Sequence, residues 1–390
     1  MEIDKSISFL RDRFREYYSK EKIELPERFG KREFAFMPFG AKLMRRHLSF
    51  KRKEDFMRYI LDMIPAHAYY SSAFYQNPGA PTMDEKGWMG AELIFDLDLD
   101  HLEKRKIRSY EEGLKVVKEE FSRLVKEFLI EDFGFEERYI KLYFSGGRGY
   151  HCHVTDPKVL SLDSQQRREI VDYIVGNDLE EEEIFRKRMV EVYSERSRKI
   201  TRWEIPKPEE PGWRGRIGRS ILDLIRKIED EDFVEHLVDL GIKRKDIERL
   251  KGELTRDRVV RIEKKGLIEQ SNFIKRFFLK TAVKRIAISS ASGETDEPVT
   301  CDIKRLIRLP TSLHGKTGLK VCQIDIDKLD EFDPLYDAVV FSEDSVRIDL
   351  KEKFTIRMKG EVFNLDKGVC KVPEYLAVFL VGRDIAKIIN

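Results

Sequence analysis

The sequence predicts an α+β fold: a small antiparallel sheet with helices on one face, interrupted by a mainly helical insertion. Three observations predict it. Between residues 91 and 154 the pattern reads strand, helix, strand, glycine-rich turn, strand. A long, charged stretch with helical spacing follows, and apolar strand-like segments return after Gly318.

Ala91 to Leu99 alternates apolar and acidic residues toward its end, which is a strand pattern. From Leu114, apolar residues recur at Val117, Phe121, Leu124 and Phe128, a helical spacing with Gly134 as its stop signal. Tyr139 to Phe144 is a second strand, Ser145-Gly146-Gly147-Arg148-Gly149 a turn, and Tyr150 to Val154 a third strand. From about Leu160 to Ala287 the pattern is mostly helical, with Glu180 to Glu183 a solvated run and the proline-rich Ile205 to Gly212 a loop. Leu319 to Ile326, Ala338 to Phe341 and Val346 to Leu350 then read as strands. The expected division is residues 1–159 and 288–390 as two parts of one core, with 160–287 as an inserted, mainly helical subdomain. No internal repeat is evident.

With 390 residues and 41% hydrophobic content, the chain can form one large domain or a core with an insertion. No apolar run is long enough to span a bilayer, and Met1-Glu2-Ile3-Asp4 lacks the layout of a signal peptide, so the expected location is cytoplasmic with no membrane partner. Cys152, Cys301, Cys322 and Cys370 are scattered and form no CxxC pair. Neither a disulfide framework nor a structural zinc is expected, and each thiol reads as a small buried hydrophobe. The formal net charge of +2 does not mark a nucleic-acid binder. Lys42 to His47 with Lys51 to Lys53, and Arg214 to Arg219, are locally basic, which a solvated face explains equally well.

Three motifs carry chemistry. In Phe95-Asp96-Leu97-Asp98-Leu99, the apolar residues can face the core while Asp96 and Asp98 share the other face, about 7 Å apart along the strand. Two carboxylates at that spacing repel by about 2 kcal/mol at an effective dielectric near 20. A divalent cation converts that repulsion into chelation, and Mg²⁺ takes one or two carboxylates plus substrate phosphates. An exposed acidic strand face is the bland alternative. In Ser145-Gly146-Gly147-Arg148-Gly149-Tyr150-His151, the glycines let backbone N–H groups approach an anion. Ser145, Arg148 and His151 add donors suited to a triphosphate; an ordinary hairpin turn is the bland reading. His153 shares the face of His151 and reads as a packing residue. In the third motif, Asp296-Glu297-Pro298-Val299-Thr300-Cys301-Asp302 precedes Arg305, Arg308, His314, Lys316 and Gly318. Asp302 stands before a short helical pattern, Ile303 to Arg308, as its N-cap. Asp296 has no such local role and is the better third carboxylate. His314-Gly315-Lys316-Thr317-Gly318 is a turn apt for phosphate and sugar contacts. Together these are the parts of metal-assisted nucleotidyl transfer.

On these residues the chain resembles the small, catalytic subunit of archaeal and eukaryotic DNA primases. The resemblance extends to Arg32 to Phe36, Met44 to Phe50, Tyr69 to Tyr75 and Lys86-Gly87-Trp88. It implies an RRM-like antiparallel-sheet catalytic core of the primase–polymerase type, and primer synthesis on single-stranded DNA from NTPs or dNTPs. Carried over residue by residue, Asp96, Asp98 and Asp296 correspond to carboxylates that bind Mg²⁺ or Mn²⁺. Ser145, Arg148 and His151 correspond to triphosphate contacts, and Arg308, His314 and Lys316 to residues around the incoming nucleotide. Glu33 and Arg46 correspond to positions linked to nucleotide handling during initiation. The resemblance also implies a heterodimer with a large primase subunit that carries an iron–sulfur cluster. One departure stands out. The family's small zinc-binding insertion after the acidic strand is missing its cysteines here, where Asp100-His101-Leu102-Glu103 runs on directly.

Three other functions compete with a replicative primase. A repair or end-joining polymerase of the same superfamily extends primers but initiates poorly. A two-carboxylate phosphohydrolase uses water as its nucleophile. A plain RRM-like binding module needs aromatic residues on its sheet face, where this chain has two aspartates.

Overall fold

The computed structural model describes residues 5–99, 107, 109–177, 179–192, 198–269, 271–288 and 299–389. Helix α1 (Lys5–Lys20) opens the chain and buries Leu10, Phe14, Tyr17 and Tyr18 along one face. Then come β1 (Phe34–Pro38), β2 (Arg45–Leu48), α2 (Lys53–Met63), β3 (Pro65–Ser71), the short pair β4 (Ala73–Tyr75) and β5 (Trp88–Ala91), and β6 (Leu93–Asp98). Helix α3 (Tyr110–Arg123) connects to β7 (Ile140–Phe144) and β8 (Gly149–Val154). The Ser109 side chain caps α3 by accepting the Glu112 N–H. Beyond Arg123 the helix widens, the Phe133 N–H reaching back five residues to the Phe128 carbonyl at 2.9 Å. Gly134 ends it with φ +69°, as the sequence predicts.

Two four-stranded antiparallel sheets frame the functional site. The second, which includes a later strand β13 (Cys322–Ile324), runs β13, β7, β8, β6. Because β8 pairs antiparallel with both β6 and β7, those two strands are parallel and α3 is the crossover between them. Leu114, Val117 and Phe121 of α3 are buried against this sheet, and the Phe121 ring stacks on Tyr150 at 5.3 Å. Phe95 and Leu97 of β6 are completely buried, so the pleat turns Asp96 and Asp98 to the opposite side. The first sheet runs β12 (Leu306–Arg308), β3, β1, β2. The sheets are tied together where buried Arg32 pairs with Glu92 and the Tyr70 hydroxyl meets His153 Nδ1 at 3.3 Å.

Between the two sheets' sequence segments lie α4 (Ser164–Val175), α5 (Glu181–Ile184), β9 (Arg186–Val192), β10 (Arg198–Glu204), α6 (Gly212–Lys227), α7 (Glu231–Asp239), α8 (Arg244–Glu253), α9 (Arg256–Lys265), β11 (Leu267–Ile268) and α10 (Asn272–Ile286). This stretch is mostly helical, but it also holds a three-stranded sheet in the order β11, β10, β9 that the sequence reading lacks. Cross-strand pairing overrides the charged, helix-like composition. Trp203 faces Lys187 directly, with the ammonium 5.4 Å from its ring, and Arg188 bonds Glu204 at 2.9 Å. After β13 come α11 (Pro334–Asp337), β14 (Ser345–Leu350), β15 (Phe354–Met358), β16 (Glu361–Leu365), β17 (Gly368–Pro373), α12 (Glu374–Gly382) and β18 (Ala386–Ile388).

Several expectations are corrected here. Ile303 to Arg308 is no helix: residues 306–308 form β12, paired Leu306 to Ser71, Ile307 to Tyr70 and Arg308 to Tyr69. Only Ile307 of the three is buried, a strand's alternation, and Pro310 disfavours helix just downstream. The Asp302 carboxylate therefore caps a turn, accepting the Lys304 N–H at 2.9 Å. Ala338 to Phe341 joins no sheet, and only Cys322–Ile324 of the expected Leu319 to Ile326 strand does. Cys152, Cys301 and Cys322 are buried, but Cys370 on β17 is only half-buried. Among the described residues no helix is long and apolar enough to cross a membrane. The apolar run Tyr375 to Val381 forms α12, buried on every side.

Candidate active site

Asp96 and Asp98 project from β6 into a cavity of about 610 Å³ between the two sheets. The opposite strand, β8, places His151 across from Asp96 and Gly149 across from Asp98. His151 Nε2 lies 3.2 Å from Asp96 Oδ1. Gly149 is required sterically: a Cβ there would stand 2.3 Å from the Leu97 carbonyl oxygen and 3.1 Å from Asp98 Oδ2.

The glycine turn is held from within and from outside. Ser145 Oγ accepts the N–H groups of Gly147 and Gly149 at 3.2 and 3.3 Å. Those two N–H groups are thus engaged inside the turn, and Ser145 retains its own proton to donate. From outside, Thr317 Oγ1 donates to the Gly146 carbonyl and the Tyr110 hydroxyl to the Gly147 carbonyl, each at 2.5 Å. Gly146, at φ +74°, also lies where a Cβ would meet the Leu319 carbonyl oxygen at 2.9 Å. The turn is therefore packed on the His314 to Leu319 loop, which brings Lys316 to the cavity beside Arg148.

His67 and His314 act as neutral acceptors. His67 Nδ1 accepts from Arg308 Nη1 at 2.5 Å and from the Gly315 N–H at 3.1 Å, which assigns its proton to Nε2. Burial, with Arg308 and Lys316 nearby, pushes its pKa down to about 3. Thr317 spends its proton on Gly146, so its 3.3 Å contact with His314 Nδ1 makes that nitrogen the donor. Burial first, then Arg308 and His67, hold the His314 pKa well below its ordinary value. Its Nε2 is left as an acceptor, a partner for a hydroxyl group and not for a phosphate oxygen.

Arg308 lies over the Tyr69 ring at 4.6 Å, so His67 and Tyr69 fix its position. Burial lowers its pKa, and Tyr69, Asp96 and Asp98 partly oppose that. Arg305 and Arg383 also line the cavity. Five cationic side chains (Arg148, Arg305, Arg308, Lys316 and Arg383) thus surround two carboxylates. Such a balance suits a polyphosphate carried with a divalent ion.

The residues present fit such an ion. Asp96 and Asp98 share one strand face and open to the cavity, so substrate oxygens can complete the coordination shell. Among the described residues no group of three or more histidine, cysteine or carboxylate side chains is placed to hold a metal by itself. Asp296, the expected third carboxylate, lies outside the described residues, as does His101.

Of the sequence-predicted residues, Asp96, Asp98, Ser145, Arg148, His151, Arg308, His314 and Lys316 meet in this one cavity. Glu33 and Arg46 do not line it. Glu33 is fully buried, its Oε1 accepting from Arg46 Nε and the His47 N–H, both at 3.1 Å, with Lys86 Nζ 3.5 Å from Oε2. Burial opposes its charge, but Arg46, the His47 N–H and Lys86 outweigh it and hold its pKa below the ordinary value. His67, Tyr69 and Arg383 were missed. The alternation Ala66-His67-Ala68-Tyr69-Tyr70 is a strand signal that could have found the first two, since β3 buries Ala66, Ala68 and Tyr70.

A family model described as DNA primase small subunit matches residues 95–324. The chain is 42% identical over 396 residues to the DNA primase small subunit PriS of Methanocella arvoryzae, covering 98% of both chains. It is 41% identical to the protein of the same name from Methanothrix thermoacetophila, covering 98% of this chain and 99% of that one. With the PriS of Archaeoglobus fulgidus it shares 40% identity over 379 residues, 96% of both.

Proposed function

The chain belongs to the DNA primase small subunit family, and from that premise we propose that it makes short primers on single-stranded DNA by metal-dependent nucleotidyl transfer. In each step a 3′ oxygen bonds to the α-phosphorus of a nucleoside triphosphate, pyrophosphate leaves, and the hydroxyl proton passes to solvent or a nearby base. One observation carries the reading: the paired carboxylates of β6, the glycine turn and the cationic side chains line the same cavity.

Asp96 and Asp98, with Asp296 as third carboxylate, would hold one or two Mg²⁺ or Mn²⁺ ions. When bound, these supply Lewis-acid neutralisation of charge on the phosphoryl group being transferred. Ser145 and Arg148 donate to the triphosphate, and His151 orients Asp96 and contacts the triphosphate. Arg308, fixed by His67 and Tyr69, neutralises charge beside the aspartates, and Lys316 adds a point charge. His314 offers Nε2 to a sugar hydroxyl. Arg46, anchored by Glu33, handles nucleotides during initiation. The β6–α3–β7–β8 unit supports an RRM-like core, with 160–287 as its insertion. The partners are a single-stranded DNA template, NTPs or dNTPs, and a large primase subunit.

Labelled nucleotides, an unprimed single-stranded template and Mg²⁺ or Mn²⁺, with and without the large subunit, test the proposal. Accumulation of short chains is expected. Extension of supplied primers without initiation would favour a repair polymerase, and phosphate release without chain growth a hydrolase.

A further inference from the structure

We propose that Arg383, at the end of α12, is a specificity-determining residue that binds the terminal phosphate of the incoming nucleotide; this rests on the nucleotide-binding reading of the cavity. Arg383 belongs to none of the three motifs. Its place comes from how α12 docks. Gly382 packs directly on the Lys316 loop, where a Cβ would stand 2.8 Å from the Lys316 carbonyl oxygen. Gly318 of that loop abuts Val378 in turn, where a Cβ would come within 2.4 Å of the Val378 side chain. Helix end and loop are therefore in direct contact, and the next residue reaches the cavity.

The Arg383 guanidinium stacks 4.8 Å from the Tyr110 ring centroid and 5.3 Å from that of Phe379. Tyr110 in turn bonds the Gly147 carbonyl, so Arg383 lies beside the glycine turn. A cation at a helix C-terminus has a bland explanation in the helix dipole. That leaves two facts unexplained. Arg383 Nε is buried without a hydrogen-bond partner, and no carboxylate among the described residues pairs with the guanidinium. Burial lowers its pKa, Tyr110 partly opposes that, and Arg148 lowers it further. Arg148 lines the same cavity, so an anion bound there can accept from both guanidinium groups.

Charge also gives direction. Asp96 and Asp98 act on Arg308, whereas Arg148 acts on Arg383. A nucleotide with its α-phosphate at the aspartates and its chain running past Arg148 ends at Arg383.

The test is equilibrium binding of a nucleoside triphosphate and of its monophosphate to the full-length chain with Mn²⁺. Arg383→Met keeps an apolar side chain against the two rings and removes the charge, while Arg383→Lys keeps the charge without the fork. Arg383→Met is expected to weaken triphosphate binding roughly 10- to 100-fold, leave the monophosphate unchanged, and be partly restored by lysine. Unchanged triphosphate affinity, or an equal loss for both nucleotides, would overturn the proposal. A wild-type chain that binds no triphosphate would instead sink the nucleotide reading itself.

Discussion

Arg148 and His151 enter the cavity from one turn and its strand, and the proposal gives them the triphosphate. Arg148→Ala should raise nucleotide KM by about one to two decades, the equivalent of a charge-assisted bond of about 1.5–3 kcal/mol. His151→Ala should also raise KM and, through Asp96 3.2 Å away, lower kcat. Nucleotide KM and single-stranded DNA affinity, measured side by side, check this. A loss confined to DNA affinity would mean the turn follows the template. His67 gives a pH prediction. Its folded pKa of about 3 lies below the ordinary 6.5, so between those values the unfolded chain holds the extra proton. Stability is full above pH 6.5 and falls as pH drops toward 3, by up to about 1.4 kcal/mol per pH unit for this histidine. Denaturant midpoints across that window should fall less steeply for His67→Gln, and parallel slopes would contradict the assignment. Asp96, Asp98 and the glycine turn were legible because their signals are local, a period-two strand and a glycine cluster. His67 and Arg383 were not, because tertiary approach alone brings β3 and the end of α12 to the site.

At the scale of elements, the β6–β8 pair sets the geometry of the acids. Gly149→Ala would drive a Cβ into the Leu97 carbonyl, 2.3 Å away, at the register position of Asp98. A loss of about 1–3 kcal/mol is expected, the usual range for overpacking. Primer synthesis should fall further than stability accounts for, because Asp98 shifts with its strand. Urea denaturation and activity of the same preparation check this; wild-type values in both would show that the strands part without cost. The strand–helix–strand–turn–strand order was readable because each element carries its own period and its own stop. The segment before Arg308 misled for the opposite reason. Its apolar spacing is too short to separate helix from strand, and pairing with β3 decides the outcome.

Across the whole molecule, the site is assembled from segments separated by most of the chain: β3, β6, the glycine turn, β12, the His314 loop and the end of α12. The sequence indicated that distant motifs converge but not that the β12, β3, β1, β2 sheet, built from residues 34–71 and 306–308, closes the cavity. Outside β3 its strands run only three to five residues, too short to show a clear period. The four cysteines give a global prediction. Three are buried apart from any metal-binding cluster among the described residues. After extensive dialysis the purified chain should carry no stoichiometric zinc, since a tetrahedral site needs four ligands. Elemental analysis finding one tightly held zinc per chain would contradict this.

The central claim is that Asp96 and Asp98 carry metal-dependent nucleotidyl transfer, and primer synthesis by Asp96→Ala and Asp98→Ala tests it most directly. With the large subunit, template, nucleotides and Mg²⁺ or Mn²⁺ present, each substitution should cut synthesis by more than the about 10- to 100-fold that loss of an outer-shell partner costs a metal site, with folding intact. Near-normal primer synthesis by either variant would contradict the claim.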